Sequence, residues 1–386
     1  MIHLDANAST ALRPEVLEAM LPWLRDGYAN PSGTYRAAKL ARKAIDEARG
    51  QVAELLGAQP SEIVFTGGGT ESVNTALRSM DQQAGPGHAL VSAIEHSAVL
   101  RSVEALARDG LLVPVNAGGR LELGRFEEGL SGAAMVSIMT ANNETGVIQP
   151  VREVSLLARE RGVMVHSDAV QAAGKIPLNV GELGVDLLSI SAHKFHGPKG
   201  VGALFVRCGV AFTPLLLGGA QEGGRRSGTE NTAGIVGMGA AAALMRRQLA
   251  APAQSGLAQL RDAFESKVLD EVRGVTVNGD LNHRLPNTSH LSFDGCEAAG
   301  LLILLDEAGI ACSAGSACMS GKQRPSHVQL AMGIDETRAR SSLRFSFSTL
   351  NTMGEAFAAA VMVRRAVEKL RQVQGAGVGP VQVYCT

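Results

Sequence analysis

From about residue 45 to residue 245, short apolar runs alternate with amphipathic stretches, and this alternation limits the fold more than any other feature. The runs at Glu62–Thr66, Ala89–Ile94, Ala133–Thr140, Gly162–Ser167, Asp186–Ala192 and Gly202–Val206 are rich in Val, Ile and Leu, without regular polar alternation. Strands covered on both faces have this texture. Ala37–Leu56 and Val151–Arg161, which lie between such runs, read as helices. The order predicts an α/β fold with a mostly parallel sheet, whose ligands collect at the carboxyl ends of the strands. The texture changes where an Ala-rich helix (Gly239–Leu249) meets the hinge-like run Ala-Pro-Ala-Gln-Ser-Gly. Beyond it come a helix, a Gly/Asn/Pro-rich stretch (Gly274–Asn287), a strand at Ser289–Phe293, a helix at Cys296–Ala308, a strand at Ser342–Phe347 and a helix from Gly354 to Gln374. The expectation is a large domain over 14–250 and a smaller α+β domain from 1–13 and 251–386.

Charge and cysteine usage narrow the function. The 386 residues carry 36 basic and 37 acidic side chains, a net charge of −1. That balance argues against a stable nucleic-acid partner bound through bulk charge. No run approaches the ~18 apolar residues of a membrane span, and Met-Ile-His-Leu-Asp does not read as a signal peptide. Five irregularly spaced cysteines (Cys208, Cys296, Cys312, Cys318, Cys385) form neither a disulfide framework nor a C-x2-C zinc pair. A reducing cytoplasm is the expected location, and the odd count leaves at least one thiol free.

Three strand ends carry candidate chemistry. Ile63-Val64-Phe65-Thr66 runs into Gly67-Gly68-Gly69-Thr70-Glu71-Ser72 and then helix-like sequence. Glycines let the backbone close on a ligand, and the first helical N–H groups face it, so this is an anion site with Thr70 as an added donor. A plain strand-to-helix turn is the competing reading; the Walker A and G-x-G-x-x-G patterns are absent. Asp168 closes the run Val163–Ser167, with Gln171 on the same edge. It is either a helix N-cap or an acid for a buried cationic nitrogen. Asp186–Ser191 continues as Ala192-His193-Lys194, placing a candidate Schiff-base amine beside Ser191 and His193, where a solvated loop lysine is the ordinary alternative. A phosphate cradle, an acid for a pyridinium nitrogen and a Schiff-base lysine together describe pyridoxal phosphate. His96 could stack on such a ring or move a proton, or be structural. Arg344, inside a candidate strand, needs an anionic partner, either a protein carboxylate or a substrate α-carboxylate.

The thiol candidates lie in Ala311-Cys312-Ser313-Ala314-Gly315-Ser316-Ala317-Cys318-Met319-Ser320-Gly321. Cys312 reads as a packed small hydrophobe, and Cys318, amid small residues, as the nucleophile.

These motifs, in order, resemble those of cysteine desulfurases. They are Gly69-Thr70-Glu71-Ser72, Glu95-His96, Asn142-Asn143-Glu144-Thr145-Gly146, Asp168-Ala169-Val170-Gln171, Ser191-Ala192-His193-Lys194, Gly223-Gly224-Arg225-Arg226-Ser227-Gly228-Thr229-Glu230-Asn231 and Cys312 to Cys318. The small-residue run ending in Cys318 is similar to the NifS/IscS branch of the class V pyridoxal-phosphate-dependent aminotransferase family. The resemblance implies a fold-type-I transferase with a mostly parallel seven-stranded sheet, a homodimer, and pyridoxal 5′-phosphate as a covalent aldimine with Lys194. It further implies that Asp168 meets the pyridine nitrogen, and that Gln171 and Asn143 contact the ring oxygen and nearby groups. Gly69, Thr70, Ser191 and His193 would hold the phosphate, and Thr229 would reach the phosphate of the partner subunit. His96 would stack over the ring, Asn7, Asn143 and Arg344 would bind substrate, and Cys318, on a mobile loop at about 312–325, would receive sulfur. L-cysteine would yield L-alanine and a Cys318 persulfide, passed to an acceptor such as an iron–sulfur scaffold, in a housekeeping or nitrogen-fixation role. Transient iron–sulfur ligation by Cys318 is a further expectation, although the sequence supplies no other ligands.

The N-terminal motif departs from the family. It reads Asp5-Ala6-Asn7-Ala8-Ser9-Thr10 where Asp-Asn-Asn-Ala-Thr-Thr is usual, so Ala6 lacks a hydrogen-bonding side chain. The alternatives are a class V aminotransferase or selenocysteine lyase acting on another amino acid, a nucleotide-dependent oxidoreductase, and a non-enzymatic sulfur carrier.

Overall fold

The computed structural model describes residues 1–250, 255–314 and 325–375. Twelve strands occur among them. β1 (Ile2–His3) pairs in parallel with β11 (Ile310–Ala311). β2 (Ile63–Thr66), β3 (His88–Ser92), β4 (Gly110–Val113), β5 (Ala133–Ser137), β6 (Met164–Asp168), β7 (Leu187–Ser191) and β8 (Gly202–Val206) form one seven-stranded sheet, in the order β2-β8-β7-β6-β5-β3-β4. β9 (Val275–Val277), β10 (Thr288–Phe293) and β12 (Ser342–Ser346) form an antiparallel sheet with β10 in the centre.

In the large sheet only β8 runs against its neighbours. Two antiparallel pairings in succession leave β2 parallel to β7, so the carboxyl ends of β2, β3, β5, β6 and β7 open on one edge. Successive side chains go to opposite faces of a strand. Ile63 and Phe65, Leu90, Leu188 and Ile190, and Ala203 and Phe205 pack into one core with the helices Arg36–Leu56 and Thr232–Ala250. Val64, Ala89 and Val91, Leu187, and Leu204 and Val206 pack into a second core with the helix Gly69–Gln83. Both faces are therefore apolar, which is why these strands read as continuous runs. A third core joins Leu4 to Phe264, Phe293, Phe345, Phe347 and Val363 around the smaller sheet.

The sequence reading missed β4, an edge strand whose first three residues are exposed, Leu111 and Leu112 among them. An edge strand buries little, so no apolar pattern marks it. The expected strands at 89–94 and 133–140 end earlier, at Ser92 and Ser137, because the chain leaves the ladder to build the site edge.

Gly202 ties this sheet to the glycine loop. It pairs with Thr66 on one side and with Ser191 on the other. A Cβ there would stand 2.7 Å from the Gly68 carbonyl carbon and 2.7 Å from the Ile190 oxygen, both backbone atoms that cannot swing aside. Gly202→Ala is expected to lower stability by about 1–3 kcal/mol, as overpacking does, and to loosen the loop after β2. Urea denaturation, with retention of cofactor colour on dialysis, checks both effects.

Candidate active site

Beyond those strand ends lies a cavity of about 340 Å³. Its first wall is the loop after β2. Gly68 has φ +148°, a region open to glycine, and the next residue starts the 15-residue helix Gly69–Gln83. A Cβ on Gly69 would approach Val170 Cγ2 to 2.8 Å, so only glycine lets the helix N-terminus and the Asp168–Gln171 turn close together. Glu71 Oε2 accepts from Gly67 N–H at 2.8 Å, and Thr66 and Ser72 hydroxyls share a 2.7 Å hydrogen bond, which leaves the cavity side to Gly69 and Thr70. Ser191 and His193 complete this wall. Burial, then Lys194, push the His193 imidazole down to about 4, so it is neutral at physiological pH.

The opposite wall is acidic and aromatic. Asp168, the last residue of β6, is buried and lines the cavity. Its Oδ1 accepts from Val170 N–H at 2.9 Å, and among the described residues it makes no ion pair. Burial raises its pKa, opposed by that hydrogen bond and by the nearby His96 and Lys194. His96 serves two purposes. Its Nδ1 accepts from Ala98 N–H at 3.1 Å and caps the helix Ser97–Glu104, which places the proton on Nε2, while the ring lines the cavity. Of the Asn142-Asn143 pair, Asn142 builds the turn. Its Oδ1 accepts from Glu144 and Thr145 N–H, and its Nδ2 donates to the Ile94 carbonyl. Asn143 lines the cavity instead, its carboxamide making no hydrogen bond among the described residues.

Between these walls stands Lys194, half-buried, its Nζ donating to the carbonyls of Asn7 (2.7 Å) and Ala8 (3.0 Å). Burial, then Arg344, lower its pKa to about 8 against the pull of Asp168 and Asp5. About a tenth of such an amine is neutral at pH 7. Gln171 Nε2 also donates to the Asn7 carbonyl, at 2.8 Å. Asn7 itself is 1% exposed and its side chain is fully engaged, with Thr288, Asn143, Lys175 and Asn287. Ala6 is buried as well.

Arg344 reaches the cavity from β12. Its Nη2 donates to Asp5 Oδ1 at 2.6 Å and its Nη1 to the Asn143 carbonyl at 2.7 Å, while Nε is buried without a partner. Thr229 does not line this cavity; it is exposed on a loop pinned by Arg42–Glu230, Arg226–Glu71 and the bidentate Arg49–Glu222 pair. Cys318 and Cys385 lie outside the described residues. Burial pushes the Cys312 thiol up to about 12, and it packs against the core of the smaller sheet. Two site residues escaped the sequence reading, Asp5 and Lys175. Asp5 stood in the N-terminal motif beside Asn7, but its pairing with Arg344 spans the chain. Lys175 follows Ala172-Ala173-Gly174 and looks like an ordinary turn lysine.

The sequence pattern of the family described as Aminotransferase class-V matches residues 2–356. The chain belongs to the class-V aminotransferase family. Relatives of this class-V chain include a protein named cysteine desulfurase from Trichormus azollae, 45% identical over 376 residues, 96% of this chain and 94% of that protein. Another of that name, from Klebsiella pneumoniae, is 47% identical over 352 residues, covering 90% and 88%. A solved structure titled NifS-like protein superposes with a TM-score of 0.89 at 36% identity, covering 96% of this chain and 100% of that one. A structure titled SspA in complex with cysteine gives 0.80 at 34%, covering 90% and 99%.

The cofactor of this class-V family is pyridoxal 5′-phosphate, and the donor set fits it. A glycine cradle with a helix N-terminus suits a phosphate, an unpaired buried carboxylate suits a pyridinium, and a lowered amine suits a carbonyl. Of the two lysines here, Lys194 lines the cavity, whereas the buried Lys175 points its amine at Asn7 and Gln171. A lowered pKa means that Lys194 becomes reactive at lower pH than an ordinary lysine. In cofactor-free protein, acylation of Lys194 followed by peptide mass spectrometry should rise with a midpoint near pH 8. A midpoint at the ordinary value of ~10.4 would contradict the packing described.

Proposed function

We propose that the chain is a pyridoxal-phosphate-dependent cysteine desulfurase, which converts L-cysteine to L-alanine and leaves the sulfur on Cys318 as a persulfide for an acceptor protein. The observation that carries this reading is one cavity holding Lys194, Asp168 and the Gly69–Thr70 cradle, in a chain 42–47% identical to proteins of that name. Gly69, Thr70, Ser191 and His193 would hold the phosphate, joined by Thr229 from the partner subunit of a homodimer. Asp168 would keep the ring nitrogen protonated, Gln171 and Asn143 would hold its oxygen side, and His96 would cover one face. When bound, the cofactor supplies an electron sink for the carbon of the amino acid attached to it.

The remaining work falls to side chains. Lys194 Nζ anchors the cofactor and carries a proton to and from the α-carbon of the substrate, a task for which a pKa of about 8 is suited. Arg344 and Asn143 orient the substrate carboxylate, with the Asn143 carbonyl accepting from both Asn7 Nδ2 and Arg344 Nη1. The Cys318 thiolate bonds the substrate sulfur as the carbon–sulfur bond breaks. The electron pair of that bond stays on carbon, which is then protonated, so one thiol and one cysteine give one persulfide and one alanine. Among the described residues no helix is long and apolar enough to cross a membrane. The cytoplasmic setting, the homodimer and an iron–sulfur scaffold as acceptor belong to this proposal.

Incubating the holoprotein with L-cysteine should release alanine at a rate that a reductant sustains. Cys318→Ala should abolish persulfide formation and cut alanine release at least ~100-fold, the scale of a lost nucleophile, while leaving the cofactor spectrum intact. Turnover of another amino acid by Cys318→Ala at the unaltered rate would favour an aminotransferase or a different lyase. Lys194→Ala should remove both the lysine-bound spectrum and alanine.

A further inference from the structure

We propose that Lys175 is a positioning residue of this site: its amine, clamped between Gln171 Oε1 and Asn7 Oδ1, fixes which end of the Gln171 carboxamide faces the cavity. The inference rests on the reading of the cavity as the cofactor site. Lys175 lies in a run of turns after β6 and is 8% exposed. Gly174 before it has φ +74°, and a Cβ there would lie 2.6 Å from Phe195 Cβ, so the backbone passes too close for any other residue. That passage turns the lysine inward.

The surroundings of Lys175 Nζ decide what it can do. It donates to Gln171 Oε1 at 2.6 Å and to Asn7 Oδ1 at 2.9 Å, and among the described residues it makes no ion pair. The titratable and charged groups around it are Lys194 and Arg344, with His193 and His196 also within its field. None is acidic. Burial, then Lys194, drive its pKa well down. Two of its N–H groups are used, one on each carboxamide oxygen. Lys175 therefore acts as a fixed pair of donors.

Gln171 inherits its orientation from that clamp. With Oε1 claimed, Nε2 must take the other side, where it donates to the Asn7 carbonyl at 2.8 Å. A flipped carboxamide would set Oε1 against that carbonyl, oxygen facing oxygen in a buried place, and would take from the Lys175 amine its acceptor. Gln171 lines the cavity, so the group it offers a bound molecule is the second N–H of Nε2. A cofactor oxygen at this wall meets a donor because Lys175 is behind it.

The test reads the absorbance of the bound cofactor rather than turnover. A donor aimed at an anionic cofactor oxygen favours the deprotonated chromophore, so losing it moves the spectrophotometric pH midpoint upward. Holoenzyme carrying Lys175→Met, which keeps the length and removes the donors, should shift up by about one pH unit, the scale of one buried hydrogen bond. Gln171→Leu should shift similarly, and adding Lys175→Met to it should shift no further, because the two act in series. An unchanged midpoint in Lys175→Met overturns the proposal, as does an equal extra shift on the Gln171→Leu background. Should Lys175→Met fail to fold, Lys175→Gln, which keeps a donor on a shorter arm, should give a smaller upward shift, subject to the same cycle and the same overturning results. Borohydride reduction with peptide mapping separates this inference from the site reading. Label on Lys194 with no midpoint shift overturns the positioning role alone, and label on Lys175 overturns both.

Discussion

A single carboxamide, that of Asn7, holds the site together. Its Nδ2 donates to Thr288 Oγ1 at 2.9 Å and to the Asn143 carbonyl at 3.3 Å, and its Oδ1 accepts from Lys175 and Asn287. Its backbone oxygen takes Lys194 and Gln171, and its N–H reaches Ser346 Oγ. Thr288 and Ser346 belong to the small sheet, while Asn143, Gln171, Lys175 and Lys194 follow strands of the large one. The placement of Arg344 relative to Lys194 depends on this residue. An asparagine is the side chain that can do it, since two donors and two acceptors are needed at one buried point. Aspartate would bring a buried charge and lose the donors, and alanine would take one hydrogen bond from each of four partners.

Electrostatics of the cavity follow from that convergence. Lys194 and Arg344 face it, and among the described residues Asp168 and Asp5 answer them. Like charges brought together out of water depress the lysine and raise the demand for an anion. A ligand carrying both phosphate and carboxylate groups meets that demand. The nearby histidines add no charge: His193 is neutral at physiological pH, and Nδ1 of His96 is committed to a helix cap.

Much of this was legible in the chain itself. Strands buried on both faces write themselves as continuous apolar runs, and the residue after each such run is where an α/β sheet presents chemistry. Asp168, Lys194 and the glycine loop were found that way, since each sits at the end of a run. β4 was not, because an exposed edge carries no such signature. Lys175 and the Asp5–Arg344 pair were invisible for a different reason. Their meaning lies in partners four residues away across irregular turns, or 339 residues away along the chain, and neither separation leaves a periodic trace.

Arg344 shows why two readings of one residue need not compete. A guanidinium has five N–H donors in a rigid fork. Asp5 takes one and the Asn143 carbonyl another, which orients the plane against β12. Nε remains buried and unpartnered, a state that costs about 1–3 kcal/mol. An incoming carboxylate that met the unclaimed donors would relieve that cost and make charge-assisted bonds, which are stronger than those a neutral acceptor would make. The protein ion pair thus leaves room for a ligand: Asp5 holds the fork in place with part of its capacity unspent, and the residual donors set a preference for an anion at that end of the cavity.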